Sequence, residues 1–481
     1  MNQDAIIKTG PVELSCYVAG QRVPQGATHT VLNPYNNEVV GIVHLAGAAE
    51  VEAAIKAPLK AHTSLSHYER FEILDRTRIL LKERSEQFAQ LITAESGLAI
   101  REARYEVGRA LDVLRFASIE CIKDEAKVFS CDLSSNGKQR KIFTNREPLN
   151  LAVCITPFNH PLNQVLHKIA PAIAAGTPVI LKPSEKTPLT AIRITELLYE
   201  AGLPPYMLSV LLGPTKEVAA PLIQSSCVDI VSFTGSVAVG KRIAATAGYK
   251  KVVLELGGND PLIIMNDADL KFAALLAAEG CFRNSGQRCT AVKRILVHQE
   301  VEAPFTAQFL AKAATYTCGD PADPDTMVGT VIDEQAAIHL EEQVKNAQVS
   351  GAKVLLGGKR NGALMEPTVI SDVPRDAPVV VNESFGPLAP IMTFKDIDDA
   401  ILLSNATAYG LSSGIVTNNL SAAFRFIKEL KVGTVNINEI PGFRIESSPF
   451  GGIKDSGLGV KEGVIEAINA FSYTKTYSLP W

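Results

Sequence analysis

Eight cysteines are scattered singly along the 481 residues, at positions 16, 121, 131, 154, 227, 281, 289 and 318. None forms a C-x-x-C pair, so neither a zinc site nor a redox pair is signalled and no metal is expected. Cys289 differs from the rest. It lies in Asn284-Ser-Gly-Gln-Arg-Cys-Thr290, a short polar loop after a helical stretch, with Gly286 nearby. Glycine lets backbone and ligand approach closely, and a thiol in a polar loop can ionise and act as a nucleophile. Cys154 falls in an apolar strand-like run and Cys281 on a helix-like one, which reads as packing. On local context alone a structural thiol is the competing reading of Cys289.

Two further residues could serve such a nucleophile. Glu255 ends an apolar run and precedes Leu256-Gly257-Gly258. A carboxylate at the carboxyl end of a parallel strand points into the ligand crevice, and partial desolvation would raise its pKa toward that of a general base. The alternative is a capping or ion-paired surface carboxylate. Asn159 sits in Thr156-Pro-Phe-Asn-His-Pro161, where two prolines stiffen the turn. An amide held by a rigid turn can donate to a developing oxyanion, although turn asparagines are common. Two more segments suit a nucleotide. Gly235-Ser236 follows a strand-like run and opens a helix, whose free amides favour a pyrophosphate. Lys182-Pro-Ser-Glu185 closes another strand and could hydrogen-bond ribose hydroxyls. Gly-x-Gly-x-x-Gly is absent, and singly each segment is equally an ordinary strand-to-helix turn.

The elements that must position these residues are legible in the same region. Short apolar runs rich in β-branched residues occur at 151–155, 179–181, 208–212, 230–233 and 252–254, with helical apolar spacing at 162–175, 189–201, 218–224 and 237–247. Such alternation requires parallel pairing with right-handed crossovers, hence a doubly wound sheet that binds ligands at the carboxyl ends of its strands. A second alternating region spans 269–435, with helices at 270–283, 301–314 and 334–349 and strands at 293–297, 353–356, 411–416 and 433–435. The fold class is therefore α/β with two such domains. Residues 127–143 fit a polar hairpin arm. The tail 471–479 alternates like a strand, which invites pairing with another subunit or with the chain itself.

Composition narrows the function. Hydrophobic residues make up 46% and charged residues 20%, as in a packed globular protein. The balance of 47 basic and 51 acidic residues, 47 − 51 = −4, gives no positive field for nucleic acid or anionic lipid. The longest apolar stretch, 169–181, is interrupted by Pro171, Gly176 and Pro178, so no membrane span is expected. The opening MNQDAIIKTG does not read as a secretory leader. Unpaired cysteines in a long chain suggest the cytoplasm.

Taken as a set, Pro157-Phe-Asn-His-Pro161, Lys182-Pro-Ser-Glu185, Phe233-Thr-Gly-Ser236, Glu255-Leu-Gly-Gly258, Gly286-Gln-Arg-Cys289, Glu383-Ser-Phe-Gly-Pro387 and Pro449-Phe-Gly-Gly-Ile-Lys-Asp-Ser-Gly457 resemble the aldehyde dehydrogenase superfamily over nearly the whole chain. The spacing 289 − 255 = 34 is a specific part of that pattern. The resemblance implies a Rossmann-type cofactor domain (1–124 and 144–256), a second α/β catalytic domain (257–448) and a small β oligomerisation arm and tail (125–143 and 466–481). It implies Cys289 as nucleophile, Glu255 as the base that activates water, and Asn159 as an oxyanion donor. Lys182 and Glu185 fall at the adenosine ribose, Gly235 and Ser236 at the pyrophosphate, and Glu383 with Phe385 at the nicotinamide ribose. Thr156, Pro157, Phe158, Ser184, Gly213, Phe233, Leu256 and Gly257 complete the cofactor set. Glu185 favours NAD, with NADP possible because Lys182 stands beside it.

The implied acyl pocket gathers Arg288 beside the nucleophile, His160 beside the oxyanion asparagine, Arg109 on the helical stretch Glu106–Asp112, and Arg444 near the entrance. Arginines grip an anionic tail in bidentate fashion, and internal ion pairing is the alternative. The His160, Arg288 and Arg109 combination is most similar to the branch of the family that oxidises phosphonoacetaldehyde. Lactaldehyde, glyceraldehyde 3-phosphate and succinate semialdehyde are the nearest rival substrates. A silent binding protein, an acyl transfer to coenzyme A and a thiol esterase are the competing functions. A homodimer or homotetramer is expected.

Overall fold

The computed structural model describes residues 11–24, 26–60, 64–123 and 126–481. The leader expectation for the first ten residues, and the proposed boundary between 124 and 125, lie outside them.

The first alternating region forms five parallel strands, β1 (Ala152–Ile155), β2 (Val179–Lys182), β3 (Leu208–Val210), β4 (Ile230–Thr234) and β5 (Lys251–Glu255). Their spatial order is β5-β4-β1-β2-β3. β1 to β4 are buried throughout, because helices cover both faces; that is why these strands read as unbroken apolar runs and not as alternating ones. The chain builds outward from β1 to β3, then returns to the other side of β1. The crevice between β1 and β4 is the switch point where such sheets take ligands. The strands Tyr17–Val18 and Gln21–Arg22 extend the sheet past β3.

A long helix, α1 (Ile100–Cys121), packs on the crossover helix α2 (Asn163–Ala175). The other crossovers are α3 (Pro188–Glu200), α4 (Ala219–Gln224) and α5 (Val237–Ala247). α2 and α3 lack caps of their own, and buried glutamates supply them from afar. Glu106 of α1 accepts from the amides of Leu162 (2.8 Å) and Asn163 (2.9 Å), and Glu95 accepts from those of Leu189 (2.8 Å) and Thr190 (3.0 Å). A carboxylate at a helix amino end satisfies otherwise orphaned donors and complements the helix dipole.

The second sheet holds β6 (Asp260–Ile264), β7 (Val292–His298), β8 (Lys353–Leu356), β9 (Thr368–Ser371), β10 (Leu388–Phe394), β11 (Ser412–Val416) and β12 (Thr434–Ile437). Their order is β8-β9-β10-β7-β6-β11-β12, parallel except for β8. Helix α6 (Leu270–Phe282) joins β6 to β7. Only residues 256–259 separate β5 from β6, so the carboxyl ends of the first sheet open toward the amino ends of the second.

The arm and tail pair with each other. Ser472–Pro480 runs antiparallel to Arg140–Pro148 over nine residues, with Val128–Ser130 beyond it. The tail strand therefore has a partner within the chain. Helix α7 (Val464–Ala470) returns to the first domain, where Val464, Ala467 and Phe471 join its core. The expected boundary at 466 cuts this helix, and the one at 143/144 cuts the arm strand. Among the described residues no helix is long and apolar enough to cross a membrane.

Candidate active site

A cleft of about 1080 Å³ lies between the two sheets. Cys289, Glu255 and Asn159 all line it, as do Arg109, His160, Arg288 and Arg444. The expected cofactor residues Thr156, Pro157, Phe158, Lys182, Ser184, Glu185, Phe233, Gly235, Ser236, Leu256, Gly257, Glu383 and Phe385 line it too. Gly213 does not. A Cβ there would fall 2.5 Å from the Ala46 carbonyl oxygen, so it packs against backbone, and Thr215 reaches the cleft in its stead.

The nucleophile loop leaves α6 through three successive left-handed residues, Asn284 (φ 57°), Ser285 (φ 52°) and Gly286 (φ 70°). Such backbone costs roughly 1–3 kcal/mol per non-glycine residue and persists only where surroundings impose it. Those surroundings are visible. A Cβ on Gly286 would meet the Gly386 carbonyl oxygen at 2.1 Å. The Asn284 amide donates to the carbonyls of Asn159 (3.3 Å) and Gln287 (3.2 Å), and the Asn159 amide donates to Gln287 (2.8 Å). The oxyanion candidate is thus tied to the nucleophile loop by one N–H, and an amide nitrogen carries two. Cys289 is half-buried. Burial pushes its thiol up to about 11, against the pull of the Lys293 ammonium.

Glu255 is buried, with neither oxygen hydrogen-bonded. Gly451 makes room for it, since a Cβ there would lie 2.5 Å from its Oε1. Burial first, then the nearby Glu462, raises its pKa well above the carboxylate range, while Lys168, Arg444 and Lys461 oppose. Lys168, fully buried on α2, donates to Glu462 (2.5 Å) and Ser232 (2.9 Å).

Both readings of the arginines hold in part. Arg109 donates through Nε to Glu446 (2.5 Å), whose other oxygen meets His167 Nε2. Burial alone would raise Glu446, but His167, Arg109 and Arg444 hold it far below the usual carboxylate range. Arg288 donates to the carbonyls of Glu279 (3.0 Å) and Gly280 (2.7 Å) in the last turn of α6, and its buried Nε has no partner. Burial, with Arg283 nearby, lowers its pKa to about 10. Arg444 stacks 4.0 Å over the Phe450 ring and keeps a buried, unpartnered Nη1. His160 Nδ1 lies 3.4 Å from Glu106.

The rest of the cleft fits a dinucleotide. Ser236 caps α5 without a side-chain bond, so its amides stay available. Lys182 and Glu185 pair at 3.3 Å on its rim. The buried Thr156 and Thr234 hydroxyls have no partner. Glu383 accepts from the Gly258 amide at 3.1 Å and approaches the position of a Gly257 Cβ to 2.1 Å, so a side chain at 257 would displace it. Phe385 meets Phe158 edge to face at 5.8 Å. Sequence reasoning missed Glu106, Asn284, Gln287 and Lys293, which position the others. Only Lys293, a charged residue four positions after the cysteine at the start of a strand-like run, left a trace in the sequence.

Residues 22–477 match the model of the aldehyde dehydrogenase family. The 3-sulfolactaldehyde dehydrogenase of Priestia aryabhattai is 38% identical over 453 residues, which cover 94% of this chain and 95% of that one. Aldehyde dehydrogenase 21 of Physcomitrella patens, solved with its reaction product succinate, superposes with a TM-score of 0.95 at 36% identity, covering 98% of this chain and 99% of that one. The glyceraldehyde-3-phosphate dehydrogenase GapN of Methanocaldococcus jannaschii, complexed with NADP, gives 0.90 at 36% identity, covering 94% and 99%.

Proposed function

The chain belongs to the aldehyde dehydrogenase family and is an NAD(P)-dependent aldehyde-oxidising enzyme, and we propose that it acts through Cys289 on a short aldehyde with an anionic tail. The observation that carries the tail is the convergence of Arg109, Arg288, Arg444 and His160 on the cleft that holds the thiol. Arg444 Nη1 and Arg288 Nε supply donors that the protein itself leaves unused. Arginine edges of that kind suit the oxygens of a phosphonate, sulfonate or carboxylate. Phosphonoacetaldehyde, oxidised to phosphonoacetate, is our specific choice.

Cys289 Sγ attacks the aldehyde carbon as the thiolate. The free N–H of the Asn159 amide and the Cys289 backbone amide then donate to the thiohemiacetal oxygen; one such donor is worth about 3 kcal/mol, roughly a hundredfold in rate. The nicotinamide coenzyme, when bound, supplies the two-electron oxidant. Lys182 and Glu185 would hold its adenosine ribose, Gly235 and Ser236 its pyrophosphate, and Glu383 with Phe385 its second ribose, with Ser184 also on the cofactor side of the cleft. Glu185 favours free ribose hydroxyls and hence NAD over NADP. Glu255 takes the proton from the water that cleaves the Cys289 thioester, which separates this reading from transfer to coenzyme A.

The arm and tail sheet, with Tyr473, Tyr477 and Leu479 exposed on it, is proposed as the assembly surface of a homodimer or homotetramer. A reactive thiol among eight unpaired cysteines suits the reducing cytoplasm.

A panel of aldehydes bearing phosphonate, sulfonate, carboxylate or no charge, each assayed with NAD and with NADP, tests the reading. We expect the highest kcat/KM for an anionic aldehyde, and Arg288→Ala to raise KM at least tenfold for anionic aldehydes while hardly changing that for propanal. Equal losses on both, or a native preference for the neutral aldehyde, would overturn the anionic-tail assignment.

A further inference from the structure

Lys293 is the second residue of β7, four residues after the nucleophile, and its side chain is 1% exposed. An ammonium carries three N–H donors, and here two donate to carbonyls while a carboxylate stands within ion-pair distance. Nζ lies 2.8 Å from the Arg288 carbonyl, 2.6 Å from the Cys289 carbonyl and 3.3 Å from Glu383 Oε1. One buried cation therefore grips both carbonyls next to the nucleophile and the carboxylate assigned to the cofactor side of the cleft.

A Cβ on Gly258 would lie 2.5 Å from the Cys289 carbonyl oxygen, so the adjoining turn presses against the same atom. The charges that act on the Cys289 thiol are Lys293 and Arg444, which favour the thiolate, and Asp260 on β6 and Glu383, which oppose it. Cys281 on α6 and Arg288 complete the titratable groups around the ammonium. Asp260 is engaged by Ser412 and by the field of Lys293, and Glu383 by Gly258 and Lys293.

We propose that Lys293 is a positioning residue that fixes the 288–289 peptide and couples the charge of Glu383 to the reactivity of Cys289. The ammonium holds the loop so that Sγ faces the cleft, and it supplies the positive charge that offsets two carboxylates. The inference rests on Cys289 being the nucleophile. It does not depend on the nature of the substrate tail.

The test reads thiol chemistry in the cofactor-free enzyme, so it is separable from turnover. The rate of iodoacetamide labelling of the Cys289 peptide is followed by mass spectrometry from pH 6 to 11, with Cys289→Ser as the background for the other cysteines. Lys293→Met removes a cation beside the thiol, so its labelling rate at a fixed pH below the midpoint should fall roughly tenfold, equivalent to a shift of about one pH unit upward. Glu383→Gln removes a carboxylate and leaves Lys293 in place, so its midpoint should move to lower pH. Opposite shifts that fail to add in the Lys293→Met/Glu383→Gln double variant are the signature of coupling, and strictly additive shifts would overturn it. Shifts of the same sign, or an unmoved midpoint in Glu383→Gln, would overturn the proposal, and the second variant keeps it falsifiable if Lys293→Met does not fold. Native turnover in the Cys289→Ser protein would instead defeat the nucleophile assignment itself.

Discussion

The residues proposed for catalysis sit in environments that resist their reactive forms. Burial raises the Cys289 thiol to about 11 and lifts Glu255 well above the carboxylate range. Each must lose a proton to act, so both raised values push activity in the same direction, toward alkaline pH. We therefore expect kcat to rise with pH across the neutral range. In rapid-mix experiments the thioester-hydrolysis step should carry the Glu255 share of that rise, and Glu255→Gln should flatten it while leaving a first-turnover burst of reduced coenzyme. A hydrolysis rate that falls with increasing pH in the native enzyme would contradict this. Residue types announced these roles, but not the partners. Asn284 and Glu106 act through backbone groups in other segments, contacts that no local pattern records, whereas Lys293 reaches back only to the carbonyls of residues 288 and 289.

At the scale of elements, the parallel strands and crossover helices between 150 and 256 were legible because their apolar runs are uninterrupted and their turns carry Gly, Pro and Ser. β6, β9 and β10 were not. β6 opens with Asp260-Pro261 directly after Gly-Gly-Asn, and Pro390 interrupts β10, so both read as turns; the ladder shifts register between Asp260 and Pro261, and Pro390 pairs with Ile370 of β9 just ahead of the β10–β7 ladder. The helix α2 is pinned in a way sequence could not reveal. Its Lys168 pairs with Glu462, just ahead of α7, and fastens the returning tail segment beneath the first sheet. Lys168→Met leaves Glu462 buried and unpaired, a loss of about 3–5 kcal/mol, whereas the double change with Glu462→Leu should recover most of it. Thermal midpoints of the two variants check this. A Lys168→Met protein as stable as the native one would show that the pair does not hold the tail.

At the scale of the whole molecule, the site exists only because three distant segments meet. β1 delivers Asn159, β5 delivers Glu255, and the loop between α6 and β7 delivers Cys289 into one cleft. The α/β class and the end strand near 471–479 agree with the sequence pattern; what the pattern does not show is the helix α7 just ahead of that strand, which packs into the first core before the tail joins the arm. That route brings Glu462 and Gly451 against Glu255, so the environment of the base is completed by the last fifth of the chain. The most direct measurement of the central assignment is to trap the acyl enzyme. The Glu255→Gln protein is incubated with NAD and an anionic aldehyde, then digested and mapped by mass. An acyl mass on the Cys289 peptide, formed only when NAD is present, is the expected result. Reduced coenzyme formed with Cys289 unmodified, or an acyl group on any other residue, would contradict the covalent route through this thiol.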